Sequence, residues 1–206
     1  MGFCFNARPV GKSKLKSSPV PQAGKVSTDM NDFVPFPPAP PVEGLYLVGF
    51  RLDPTHVGPQ FYTLFVLEGD NERPSAENGR ILFFTDPTHA AQALARSDMA
   101  MRALGAPPTE LEMLCDVAEA LHIANAAETD ADGTLLDCIA CLDDLVRAAQ
   151  LNAPAETMGI LSALSERLME NPDFGPWLAE QGVDRERIED ALMWCVGAVA
   201  AKSTWL

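Results

Sequence analysis

The sequence predicts an α+β fold: a small three-stranded sheet with one covering helix, followed by a four- to five-helix bundle. Three observations carry this. Residues 45–84 contain three runs dense in aromatic and branched side chains, the types that pack well on a pleated surface. Beyond residue 107 the apolar positions recur at steps of three and four, the helical period. Asp86-Pro87, Pro107-Pro108 and Asn171-Pro172 punctuate the segments between them. At 206 residues and 47% hydrophobic, the chain supports one packed domain, or two small ones sharing a core. It divides into a basic, proline-rich tail over 1–43, a sheet-and-helix unit over 44–106 and an acidic helical bundle over 107–206.

Leu45-Tyr46-Leu47-Val48-Gly49-Phe50-Arg51-Leu52 and Phe61-Tyr62-Thr63-Leu64-Phe65-Val66-Leu67 form the first two strands. Asp53, Pro54, Gly58 and Pro59 between them make a hairpin with a longer loop. Ile81-Leu82-Phe83-Phe84 is the third strand. Both faces of these runs are apolar, so helices cover the sheet on both sides. Asp86-Pro87 opens the first helix with an N-cap acceptor and a proline at the first helical position, and the helix runs to about Leu104.

Thr109-Glu110-Leu111-Glu112 has the capping-box form and predicts the next helix, with Leu111, Leu114, Ala118 and Leu121 along one face. Thr134 caps a third, which turns Leu135, Ile139, Leu142, Val146 and Ala149 inward and pairs Asp143 with Arg147 outside. Asn152-Ala153-Pro154 starts a fourth, ended by Asn171-Pro172, and a short helix or turn surrounds Trp177. Asp184 caps the last helix, whose inward row is Ile188, Leu192, Cys195 and Val199.

Charge sets the first functional bound. Twenty-nine acids against fifteen bases give a net charge of −14. Residues 1–28 hold five bases and no acid, 29–106 hold ten acids and five bases, and 107–206 hold nineteen acids and five bases. A body of that sign repels a polyanion, which excludes general nucleic-acid binding through it. Five cysteines, an odd number spread through predicted helices, indicate free thiols and a reducing, cytoplasmic compartment. The apolar stretch Ala191 to Ala201 is about half the length that a membrane span needs.

Four constellations carry possible chemistry. Asp-Pro-Thr-His occurs twice, at Asp53 to His56 and at Asp86 to His89, each directly after a predicted strand. If the first and third strands lie side by side and parallel, Asp53, His56, Asp86 and His89 converge at one sheet edge as metal ligands or as acid and base. The alternative is a pair of turn and helix-start signals. Cys138-Ile139-Ala140-Cys141 has redox spacing, but it lies inside a helix beside Asp137, Asp143 and Asp144, where packing is the better account. Cys115 and His122 complete a formal zinc set with that pair. Seven residues on one helix separate those two by about 10 Å, too far to share one ion.

Glu128-Thr129-Asp130-Ala131-Asp132-Gly133-Thr134-Leu135 resembles the first eight positions of a calcium-binding EF-hand loop, with carboxylates at alternate positions and glycine at the turn. Its twelfth position is Ile139, where the bidentate glutamate belongs. An acidic turn between helices is the alternative. No cofactor is expected, because the P-loop, the dinucleotide glycine fingerprint, the nucleophile elbow and the zinc-protease helix are all missing.

In the tail, Pro35 to Pro41 reads as a polyproline II spacer. Met1-Gly2-Phe3-Cys4 resembles the start of dually acylated membrane-anchored proteins, which implies Gly2 and Cys4 as lipidation sites with Lys12, Lys14 and Lys16 as the basic second signal. Asn6 departs from that pattern. The acid-free, Ser- and Pro-containing N-terminus also looks like the leaders of bacterial effectors injected through needle-type secretion systems. An expression leader, or a true start at Met30, accounts for the same residues.

The expectation is therefore a non-enzymatic acidic protein-binding module, such as an inhibitor, immunity-type protein, chaperone or adaptor, that engages a basic protein partner. Its contact residues are expected among Glu128, Asp130, Asp132, Asp143 and Asp144. One alternative is a secreted or acylated effector, acting in or on the membrane of a host cell, with membrane contact only through the tail. The other is a metal-dependent enzyme built on the Asp/His pairs.

Overall fold

A computed structural model describes residues 44–68 and 71–206. Gly2, Cys4 and the rest of the tail lie outside the described residues. The chain is mixed α+β, with seven α-helices and two small sheets among the described residues. Strands β1 (Gly44–Arg51), β2 (Phe61–Glu68) and β3 (Asn71–Pro74) form an antiparallel meander. The short β4 (Ala76–Glu77) pairs with β5 (Arg80–Phe83) to begin a second sheet. After a 3₁₀ turn at Pro87–His89 come α1 (Ala90–Arg96) and α2 (Met99–Ala103).

The expected single helix to Leu104 is broken because Asp98 takes an extended conformation and caps α2, its carboxylate accepting from the Met101 amide. Strand β6 (Leu111–Asp116) then returns parallel to β1, so the first sheet has the order β3-β2-β1-β6. The helices α3 (Val117–Ala126), α4 (Thr134–Ala148), α5 (Ala155–Glu170), α6 (Gly175–Gln181) and α7 (Arg185–Ala201) follow. Last, β7 (Ser203–Trp205) pairs parallel with β5 and completes the order β4-β5-β7.

Two corrections follow. The sheet has four strands with a three-stranded neighbour, and the helix expected from Thr109 is strand β6. The physical reason is a bulge. Leu47 pairs with Leu111 and Val48 with Met113, so Glu112 is an extra residue in β6. That insertion breaks the two-residue alternation and leaves Leu111 and Leu114 three apart, which imitates a helical stripe. The helix starts only at Val117, eight residues after Thr109, where the Asp116 carboxylate caps it by accepting from the Glu119 amide. Arg51 Nη2 holds the same carboxylate at 2.5 Å and ties the end of β1 to the end of β6.

Both faces of the first sheet are covered, as its composition requires. Leu47, Leu64 and Val66 pack with Leu82, Phe84 and the α1/α2 residues Ala90, Ala93, Leu94 and Met101. Val48, Phe50 and Phe65 pack on the other face against α3, α4, α5 and α7. Gly49 allows the β1–β2 loop and β6 to close over β1: a Cβ there would lie 2.7 Å from Pro59 Cγ and 2.9 Å from Leu111 Cδ1. Predicted helix faces hold in the bundle. Leu135, Ile139, Leu142, Val146 and Ala149 are buried from α4, and Ile188, Leu192, Cys195 and Val199 from α7, where Asp184 caps as expected.

Candidate functional site

A cleft of about 540 Å³ opens on the helical face of the first sheet, between the start of β1 and the first turns of α4. The antiparallel register puts Tyr46 beside Phe65 and Gly44 beside Leu67, and Leu67 in turn beside Glu72 of β3. These residues, with Val48 and Met113, make the floor, and Asp137, Ala140 and Cys141 of α4 make the facing wall. The Tyr46 and Phe65 rings stack with centroids 5.6 Å apart. Glu72, Glu112 and Asp137 supply the charge, and among the described residues the lining contains no Lys, Arg or His.

Three groups at or beside the cleft have shifted titration. Burial pushes the Tyr46 phenol well above its ordinary range, and its hydrogen bond to Glu72 adds to that. Asp137 is raised by burial and by the nearby charges of Asp130 and Glu72. One turn beyond Cys141, Asp144 is pushed up to about 7 by burial, against the lowering pull of Arg147, with Glu72 and Asp143 adding to the rise. Its side chain is 13% exposed whereas that of Arg147 is 56% exposed, so water screens the guanidinium more than it solvates the carboxyl.

An unfolded Asp ionises near pH 4, so between about pH 4 and 7 the folded chain retains a proton that the unfolded chain has released. Stability therefore falls as pH rises through that window and levels off above it. Asp144→Asn imitates the protonated acid, and its stability relative to the parent should rise from about pH 4 to 7 and then stay flat. Urea midpoints at about pH 4, 6 and 8 check this, and an equal offset at all three would refute it.

The Asp/His pairs do not meet as a shared sheet edge would require. β1 lies between β2 and β6, and β5 lies in the other sheet between β4 and β7. Each Asp-Pro-Thr-His closes on itself in the same way. The Asp53 carboxylate accepts from the hydroxyl and amide of Thr55, and that of Asp86 from the amide and hydroxyl of Thr88. These bonds hold both carboxyls below the usual range. The His56 and His89 amides bond back to the carbonyls of Asp53 and Asp86. The repeat is thus a local turn used twice.

The cysteines pack, but one element differs from expectation. Cys115 stands at the end of β6 and not in a helix, 3.7 Å from Cys138 Sγ. Cys115, Cys138, Cys141 and Cys195 are all buried and free. The thiol of Cys115, which contact with Cys138 lowers, is raised on balance by contact with Cys141 and by burial, and that of Cys138 is raised by contact with Cys115 and by burial, the opposite of a reactive cysteine's environment. His122 projects from α3 beside Glu128. Among the described residues no group of three or more His, Cys, Asp or Glu side chains is placed to hold a metal.

The EF-hand-like loop is a helix start. Asp130 is 3% exposed, and its two carboxylate oxygens accept from the Leu135 and Leu136 amides, each at 3.0 Å. It therefore corrects two expectations: it caps α4 in place of Thr134, and it is withdrawn from any partner surface. Asp132 and Glu128 are exposed, and Asp143 and Asp144 both pair with Arg147.

Comparison with family models, curated proteins and solved structures finds no match. The geometry of the chain itself is then what bears on function. Sequence reasoning missed Tyr46, Glu72, Glu112 and Asp137 as a group, because they come from β1, β3, β6 and α4. The available signal was local: Tyr46 interrupts an apolar strand, and Asp137 stands directly before Cys138 and one turn before Cys141. No helix among the described residues is long and apolar enough to cross a membrane.

Proposed function

We propose that this chain is a non-enzymatic protein-binding module that receives a basic side chain of a partner protein in the cleft between β1, β3 and α4. The supporting observation is the lining: Glu72, Glu112 and Asp137 around an apolar floor, with no cation among the described lining residues. A lysine or arginine matches both halves of that surface, because its alkyl stem covers apolar groups while its charged head reaches the acids. The Tyr46 ring adds a face that attracts a cation. The net charge of −14 steers a basic partner toward the body and raises its encounter rate. Asp144, expected from sequence as a contact residue, stands one turn beyond Cys141 of the lining. Inhibitor, immunity-type, chaperone and adaptor roles all use such a surface.

Calorimetric titration of the full chain with a peptide containing Arg and Lys tests this. The peptide should bind, with affinity falling as salt rises. The double variant Glu72→Gln, Asp137→Asn should bind it about tenfold or more weakly, which corresponds to about 1.4 kcal/mol. Unchanged affinity in a variant that still unfolds cooperatively would sink the reading.

A further inference from the structure

The cleft carries a second feature beside its charge, a bare strand edge. β1 begins at Gly44, but β6 pairs with it only from Leu47 onward. On the β2 side Gly44, Leu45 and Tyr46 are matched to Leu67, Val66 and Phe65. On the β6 side no strand among the described residues pairs with them. The chain ahead of Leu111 does not continue the line of β6: residues 107–110 are in no strand, with a bend at Glu110, and two of them, Pro107 and Pro108, lack backbone donors. The same three residues line the cleft, with Glu112 and Met113 at the step where β6 begins.

Resting on the proposed binding of a basic partner, we infer that the partner enters as an extended segment that adds to the first sheet along Gly44–Tyr46, continuing the line of β6. Main-chain hydrogen bonds to this edge set the segment's register, and alternate side chains then point to opposite faces of the sheet. Those on the helical face descend over Tyr46, Phe65 and Val48 toward Glu72 and Asp137, so this face selects Arg or Lys. Glu112, exposed on the bulge, gives the same sign of attraction at the rim. An open strand edge is ordinarily a risk for self-association. Here the carboxylates beside it repel a second copy of this acidic chain and favour a basic one.

The experiment uses the full chain and the probe acetyl-Thr-Arg-Val-Lys-Val-Thr-amide, compared with versions N-methylated at one backbone position each. Calorimetry gives the affinities, and amide NMR gives the place of binding. The expected result is a loss of about tenfold or more on methylating alternate positions and little loss at the intervening ones, with shifts at Gly44–Tyr46. Binding of the parent probe that tolerates methylation everywhere overturns strand addition while leaving the basic-partner reading intact. Failure of the parent probe, and equally of a helical peptide of the same charge, overturns that reading itself. Cross-links tying the cleft to the chain's own lysines, with the probe unable to displace them, would overturn an external occupant.

Discussion

Phe83→Ala is expected to lower the unfolding free energy by about 3–5 kcal/mol, the range for removing a large buried aromatic side chain. Phe83 is 3% exposed, and its ring meets Phe50 edge-on at 5.4 Å, Phe61 edge-on at 5.2 Å and Trp205 at 5.4 Å. Phe50 and Phe61 belong to the first sheet, Phe83 and Trp205 to the second, so this ring packs across the junction of the two sheets, beside the Phe61–Trp205 contact and the main-chain bridge between Tyr62 and Phe84. Its carbonyl also accepts from the Leu206 amide. Truncation leaves a void against three aromatic faces and should loosen β7 before the rest of the fold. Guanidinium unfolding followed by circular dichroism gives the global loss, and hydrogen exchange at Ser203–Trp205 gives the local one. Phe83→Leu should lose clearly less. A loss under about 1 kcal/mol for Phe83→Ala would mean that the other contacts between the sheets, Phe61–Trp205 and Tyr62–Phe84 among them, hold the junction without this ring.

The second large effect is at Asp130. Asp130→Ala should cost about 2–3 kcal/mol, because it removes a charged acceptor shared by two helix-terminal amides and leaves both without that partner. The neighbourhood fixes the carboxylate in place. The Asp130 amide donates to the Pro172 carbonyl, and the Asp130 carbonyl accepts from the Gly133 amide, where Gly133 takes a left-handed φ of 76°. Asp130→Asn, which keeps an acceptor, should lose less. Because both carboxylate oxygens are engaged, added calcium should leave the thermal midpoint of the parent chain unchanged; a rise would show that the carboxylate leaves the amides for the ion.

Local signals in the sequence proved sufficient where the structure is itself local. Asp184 as a cap, Asn171-Pro172 as a stop, the inward rows of α4 and α7, and the two-sided burial of β1 all depend on neighbours within a few turns or on strand composition. The Asp143–Arg147 pair is likewise an i,i+4 matter. The errors fall where a distant partner decides. Leu111–Asp116 carries a capping-box pattern and a three-residue apolar step, yet pairing with β1, some sixty residues earlier, makes it a strand. Asp130 reads as an exposed acid, and the amides of the helix it precedes draw it inside.

By itself, the sequence determined the class of the fold, the acidity of the body, the absence of familiar catalytic motifs and the packed state of the Cys138/Cys141 pair. These follow from composition and from periods of two and three to four residues, which neighbouring residues impose on one another. Only the tertiary structure decided that Tyr46, Glu72, Glu112 and Asp137 share one cleft, that the Asp/His repeats do not share a sheet edge, and that the first three residues of β1 have, among the described residues, no pairing strand on one side. The reason is that strand order and register are set by which surfaces can be buried together across the whole chain, and no window of adjacent residues contains that information.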